Sequence, residues 1–125
     1  MERLSLEGPY LLQAETIEEV VTRKEPGVYV LGYEIETINL RTFNLNAFKV
    51  RYLGRSDRNL SSSLREKIGI YPKFKFAYVE TAEDAFRLEC KLWHNYGGPN
   101  GDLDVKTHPQ SPDGSGLKCT RCRSL

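Results

Sequence analysis

The clearest period in the chain runs from Thr81 to Tyr96, where TAEDAFRLECKLWHNY predicts an amphipathic helix capped by Thr81. At about 100° per residue, Ala82, Ala85, Phe86, Leu92, Trp93 and Tyr96 fall on one stripe. Glu89 projects from the middle of that stripe or, with a small rotation of the helix, from its edge. A carboxylate that faces a core needs a paired cation, a metal, or a proton held by a raised pKa.

The other elements are shorter. Gly8 to Leu12 reads as a short strand or lead-in. Thr16-Ile17-Glu18-Glu19 has a capping-box pattern and predicts a helix that ends before Glu25-Pro26-Gly27, a turn signal. Val28 to Tyr33 reads as a strand. The polar stretch from Glu34 to Ala47 has no clear period and reads as a long connection or an extended hairpin arm. Phe48 to Leu53 alternates, with Phe48, Val50 and Tyr52 on one face and Lys49 and Arg51 on the other. Asn59 or Ser56 can cap a helix over Leu60 to Ile68. Phe74 to Val79 is a further strand, with Phe74, Phe76 and Tyr78 facing together. The expectation is one small α+β domain over residues 1–125, with helices flanking a three-stranded sheet. Its core spans about 8–96, and a Gly- and Pro-rich tail spans 97–125.

With 125 residues and 39% hydrophobic content, the core is modest. No apolar run is long enough to span a bilayer, and no signal peptide is visible. Three cysteines, an odd number, argue against a disulfide framework and fit a reducing compartment. The expected setting is cytoplasmic or otherwise intracellular, with no membrane partner. The net charge of +1 hides a basic middle. Residues 41–75 hold nine Lys or Arg, Arg41 among them, against Asp57 and Glu66, a local charge of +7. A DNA backbone is the expected partner of that stretch, with Lys49, Arg51, Arg58, Arg65 and Lys75 as its contacts.

Two tripeptides end or occupy predicted strands: Gly27-Val28-Tyr29 and Tyr52-Leu53-Gly54, the second continued by Arg55-Ser56-Asp57. With the later helix that carries Glu89, this order resembles the GIY-YIG nuclease family over roughly residues 8–122. The resemblance implies a GIY-YIG-like fold and a metal-dependent DNA endonuclease. It implies that Tyr29 and Tyr52 serve the attacking water and that Glu89 holds Mg²⁺ or Mn²⁺. One position departs from the family. Where the pattern has an arginine on the first helix, this chain has Ser63. With Leu60 at 0°, Ser63 lies near −60° and Arg65 near 140°, roughly on opposite flanks. The electrophilic role passes to Lys67 or Arg55, or is absent. In the last case the domain is a catalytically weak or inactive nucleic-acid-binding or protein-interaction module. No separate DNA-binding domain is evident in the sequence, so a targeting protein partner is a further expectation.

Cys90 and His94 stand at i and i+4, and Cys119 and Cys122 form a CxxC. Two ligands from a helix and two from a knuckle make a structural S₃N zinc site, with His108 as an alternative ligand. The ending resembles a GIY-YIG subgroup with a C-terminal CxxC. Zinc would staple the tail to the last helix. A zinc-stapled structural domain that binds no nucleic acid is the third reading.

Overall fold

The computed structural model describes residues 6–37, 45–101, 103–105 and 108–112. In chain order the elements are β1 (Glu7–Leu11), α1 (Ala14–Val20), β2 (Gly27–Thr37), β3 (Leu45–Ser56), α2 (Leu60–Arg65), β4 (Lys73–Tyr78) and α3 (Ala82–Asn95). A single 3₁₀ turn, Gly98–Asn100, follows. The class is α+β, as expected. The sheet has four strands rather than three, in the order β1-β4-β2-β3, and every pairing is antiparallel. β1 was hard to read because it holds Pro9, which a strand tolerates at an edge, where an absent N–H costs no ladder bond. Among the described residues no helix is long and apolar enough to cross a membrane.

Both faces of the sheet are covered. On one, Tyr29, Leu31, Phe74 and Phe76 bury against Ile17 of α1 and Leu60 and Leu64 of α2. On the other, Val30 and Leu53 bury against Trp93 of α3 and Leu103 of the tail. Each fully buried side chain of this size contributes about 1.5–3 kcal/mol. The polar stretch after Tyr33 is an extended hairpin: β2 and β3 stay paired out to Thr37 and Leu45.

The alternation in β3 does not persist. Leu31 pairs with Tyr52 but Gly32 pairs with Val50, so Arg51 is an extra, bulged residue. Phe48 and Val50 therefore pack on the α3 face, while Tyr52 packs on the opposite one. Gly32 permits the close approach, since a Cβ there would sit 1.8 Å from the Lys49 carbonyl oxygen.

The helix ends follow local chemistry in two cases of three. The Asn59 side chain accepts from Ser61 N–H, and Thr81 Oγ1 accepts from Asp84 N–H. Ser56 Oγ adds a further acceptor for Asn59 N–H at 2.9 Å. Thr16 is not a cap. α1 starts at Ala14 after Gln13, which makes no side-chain cap bond. Burial of Leu12 and Ile17 sets its position instead. α2 stops at Arg65, short of Ile68.

The tail is pinned by protein contacts. Leu103 is buried, Trp93 Nε1–H donates to the Val105 carbonyl at 3.0 Å, and Asp104 N–H donates to the Arg51 carbonyl at 2.6 Å. The Asp104 carboxylate also accepts from Arg51 Nη2 at 2.8 Å and from the Tyr71 hydroxyl at 2.5 Å. The bulge is thus capped by the tail, which covers part of an edge strand.

Gly54 is the tightest backbone approach near the tyrosines. A Cβ there would lie 2.5 Å from the Tyr29 hydroxyl oxygen and 2.6 Å from its ring carbon. Gly54→Ala is expected to cost about 1–3 kcal/mol in urea denaturation. A loss below about 0.5 kcal/mol would show that the Tyr29 ring shifts freely.

Candidate functional site

Glu89 lies on the buried face of α3, beside Phe86, Cys90 and Trp93. It is 9% exposed. The demand that the sequence places on this carboxylate is met by Arg55, at the end of β3. Arg55 Nη1 donates to Glu89 Oε1 at 2.7 Å, and Arg55 Nε donates to Asp57 Oδ1 at 2.7 Å. The guanidinium also lies 5.3 Å from the centre of the Phe86 ring. One cation therefore bridges two carboxylates against an apolar wall. Burial raises the Glu89 pKa above the usual carboxylate range, the Arg55 hydrogen bond and charge lower it, Asp57 raises it, and His108 lowers it; the net direction is upward. Arg55 stays fully charged: burial disfavours the cation, but the bonds to Asp57 and Glu89 outweigh it.

These groups open onto a cleft of about 790 Å³ lined by Arg55, Asp57, Arg58, Ser63 and Glu89, with Gln110 and Pro112 contributed by the tail. The candidate tyrosines form a second group. Tyr29 and Tyr52 stack at 6.3 Å between ring centres with 16° between planes. Lys67 Nζ sits 4.5 Å above the Tyr52 ring. None of these three residues lines the cleft. Tyr29 is near enough to sense Glu89: burial first, then Tyr52, Glu89 and Glu66, all push its pKa up. No cation offsets them. The phenol stays neutral and can donate a hydrogen bond, but it is a poor proton acceptor.

The structure distributes the basic stretch. Arg51 is paired with Asp104 and Lys73 with Glu34 at 2.5 Å. Arg65 Nε–H donates to Ser61 Oγ at 3.3 Å, and Lys75 Nζ lies 5.3 Å from the Phe48 ring centre. Lys49 sits opposite Tyr33 in the hairpin. Arg58 is exposed and lines the cleft. Acids supplied from outside the stretch, Glu34, Glu89 and Asp104, offset part of its charge. Arg41 lies outside the described residues.

Cys90, His94 and His108 come together. Cys90 Sγ is 4.0 Å from His108 Nε2, and the two imidazoles are 5.3 Å apart between centres. His108 Nδ1 is 2.6 Å from the Pro109 carbonyl oxygen, which only accepts, so Nδ1 is the donor there and Nε2 faces Cys90. Among the described residues no group of three or more His, Cys, Asp or Glu is placed to hold a metal ion. Cys119 and Cys122 lie outside the described residues.

Sequence reasoning missed two contributors. Asp57 stands two residues after Arg55 on the same strand exit, the spacing that places side chains on one side, and this was the available signal. Asp104 left no signal, since its partners Arg51 and Tyr71 lie 53 and 33 residues away.

Arg55→Met is expected to cost about 3 kcal/mol at neutral pH, because Glu89 then stays buried without its cation. The Glu89 pKa rises further in that variant. A folded carboxylate pKa above its unfolded value means that stability falls as pH rises through the window above about 4.3. The loss is therefore smaller at pH 5 than at pH 7.5 in urea denaturation. Equal losses at both values would place the cost in packing against Phe86 rather than in charge.

Comparison with protein-family models, with curated proteins and with solved structures finds no match for this chain.

Proposed function

We propose that this chain is a divalent-cation-dependent DNA endonuclease of the GIY-YIG type. The observation that carries the reading is Glu89, a buried carboxylate that opens on a polar cleft containing two guanidinium groups. The cleft's volume suits a phosphodiester unit with its flanking sugars. In hydrolysis the water oxygen bonds to phosphorus, one ester P–O bond breaks, and the departing oxygen leaves with a proton. Glu89 suits Mg²⁺ or Mn²⁺. Its Oε1 is held by Arg55, its Oε2 makes no bond to a described residue, and a lone carboxylate supplemented by water is a common Mg²⁺ environment. Bound there, the cation would acidify water and offset the phosphate charge. The family pattern would give Tyr29 the water; its neutral phenol, stacked on Tyr52, does not line the cleft and would orient that water only after moving toward Glu89.

Zinc would be structural. Cys90 and His108 supply sulfur and nitrogen donors, with the His108 Nδ1–carbonyl contact orienting the ring as ligand histidines require. Cys119 and Cys122 would complete the set, with the nitrogen from His94 or, as the alternative ligand, from His108. An intracellular setting, DNA as partner and a targeting protein belong to the same proposal.

The second reading is a weakly catalytic or inactive module of the same fold that binds nucleic acid or a protein. Ser63 favours it: the side chain lines the cleft at the position where the family pattern has arginine.

Incubation with supercoiled, branched and single-stranded DNA in Mg²⁺ and Mn²⁺ separates the two readings. Nicking is expected, with Glu89→Gln abolishing it and Ser63→Arg raising it several-fold, since a guanidinium grips phosphate in bidentate fashion. DNA binding without nicking in both wild type and Ser63→Arg would favour the inactive module. Protein purified without chelator should hold about one zinc per chain, lost in Cys90→Ser. Wild-type protein free of zinc would remove the staple.

A further inference from the structure

We infer that Arg58, on the turn before α2, is the phosphate-gripping residue of the cleft and takes the place of the arginine that Ser63 leaves vacant. The inference rests on the proposed phosphodiester chemistry and assigns within it a role that the sequence reading gave to Lys67 or Arg55.

Lys67 does not line the cleft, and its ammonium is engaged over the Tyr52 ring at 4.5 Å. Arg55 does line it, but two of its donor nitrogens are committed to Asp57 and Glu89, both at 2.7 Å. Its charge is offset by those carboxylates, and withdrawing it would strand a buried Glu89. Arg65 is engaged with Ser61 and is not in the cleft.

Arg58 differs on each count. It lines the same cleft as Glu89 and Ser63. Its side chain is exposed and makes no ion pair, ring contact or hydrogen bond among the described residues. Its backbone is fixed: Ser56 Oγ accepts from Arg58 N–H at 3.4 Å and from Asn59 N–H at 2.9 Å, and Asn59 in turn caps α2. A guanidinium without a partner among the described residues, on an anchored turn, offers a fork of donors to two phosphate oxygens. Among the described residues, the charged ones lining the cleft are Arg55, Asp57, Arg58 and Glu89. With Arg55 bridging the two acids, Arg58 is the cation among them left to meet an anion.

The first test reads phosphate directly. The Arg58 side-chain Nε–H resonance is followed while inorganic phosphate is titrated at constant ionic strength. A saturable shift at Arg58, absent at Arg87 on the outer surface, supports the assignment. No shift at Arg58, or equal shifts at both, overturns it. The second test reads cutting. Arg58→Ala is expected to lose about 100-fold in rate, and Arg58→Lys to recover only part, because lysine has no fork. Arg87→Ala serves as the charge-matched control. Ser63→Arg placed in the Arg58→Ala protein is expected to restore cutting, a rescue that a purely structural role for Arg58 does not allow. Wild-type cutting by Arg58→Ala, with the loss found in Lys67→Ala instead, overturns the assignment. If Glu89→Gln is inactive while Arg58→Ala is not, only this inference fails. If wild-type protein cuts nothing, the nuclease reading fails and the phosphate titration alone decides the role of Arg58.

Discussion

Glu89 keeps its charge where α3 puts it because Arg55 meets it. A carboxylate 9% exposed, on the face that also buries Phe86 and Trp93, keeps its charge at low cost only with a cation at hydrogen-bonding distance. That cation comes from the last turn of a strand, 34 residues earlier. The pair therefore fixes the end of β3 against the middle of α3, and Asp57 holds the guanidinium from its other side. The cleft exists because these charged groups stand beside the turn that starts α2. Fold and candidate chemistry thus share one electrostatic joint.

A second joint holds the tail. A segment rich in Gly and Pro has few means of packing, and a metal is the usual suspicion. Here one leucine, one indole N–H and one aspartate suffice to dock residues 103–105. Docking matters to the cleft because Gln110 and Pro112 follow directly and line it. A zinc ion at Cys90 and His108 would reinforce this arrangement from its far end rather than create it.

What was legible in the sequence had a short range. The period of Thr81 to Tyr96 and the alternation of Phe74 to Tyr78 exposed α3 and β4 because each pattern lies within one element. That Glu89 needs a cation, a metal or a proton was legible too; that the cation is Arg55 was not, because the pairing joins residues 34 positions apart. β1 was obscured by Pro9, and the hairpin arm by its polar composition, since its strands gain order from each other rather than from a buried face. The neutral state of Tyr29 was hidden because burial, not neighbouring cations, decides it. Asp104 was invisible because its role depends on Arg51 and Tyr71 being brought to it by the fold.

The bulge at Arg51 makes β3 a strand with a parity. One extra residue switches the inward face between Val50 and Tyr52, so everything before it faces α3 in one phase and everything after it in the other. Deleting Arg51 would leave Val50 and Tyr52 adjacent and on opposite faces, as now. It is pairing straight through Arg51 without the bulge that would set Phe48 and Val50 in phase with Tyr52 and turn them toward the opposite layer. Chain length in this strand is therefore counted in pairs. A change of two residues in the arm keeps its faces, whereas a change of one exchanges them unless a bulge, as at Arg51, absorbs it.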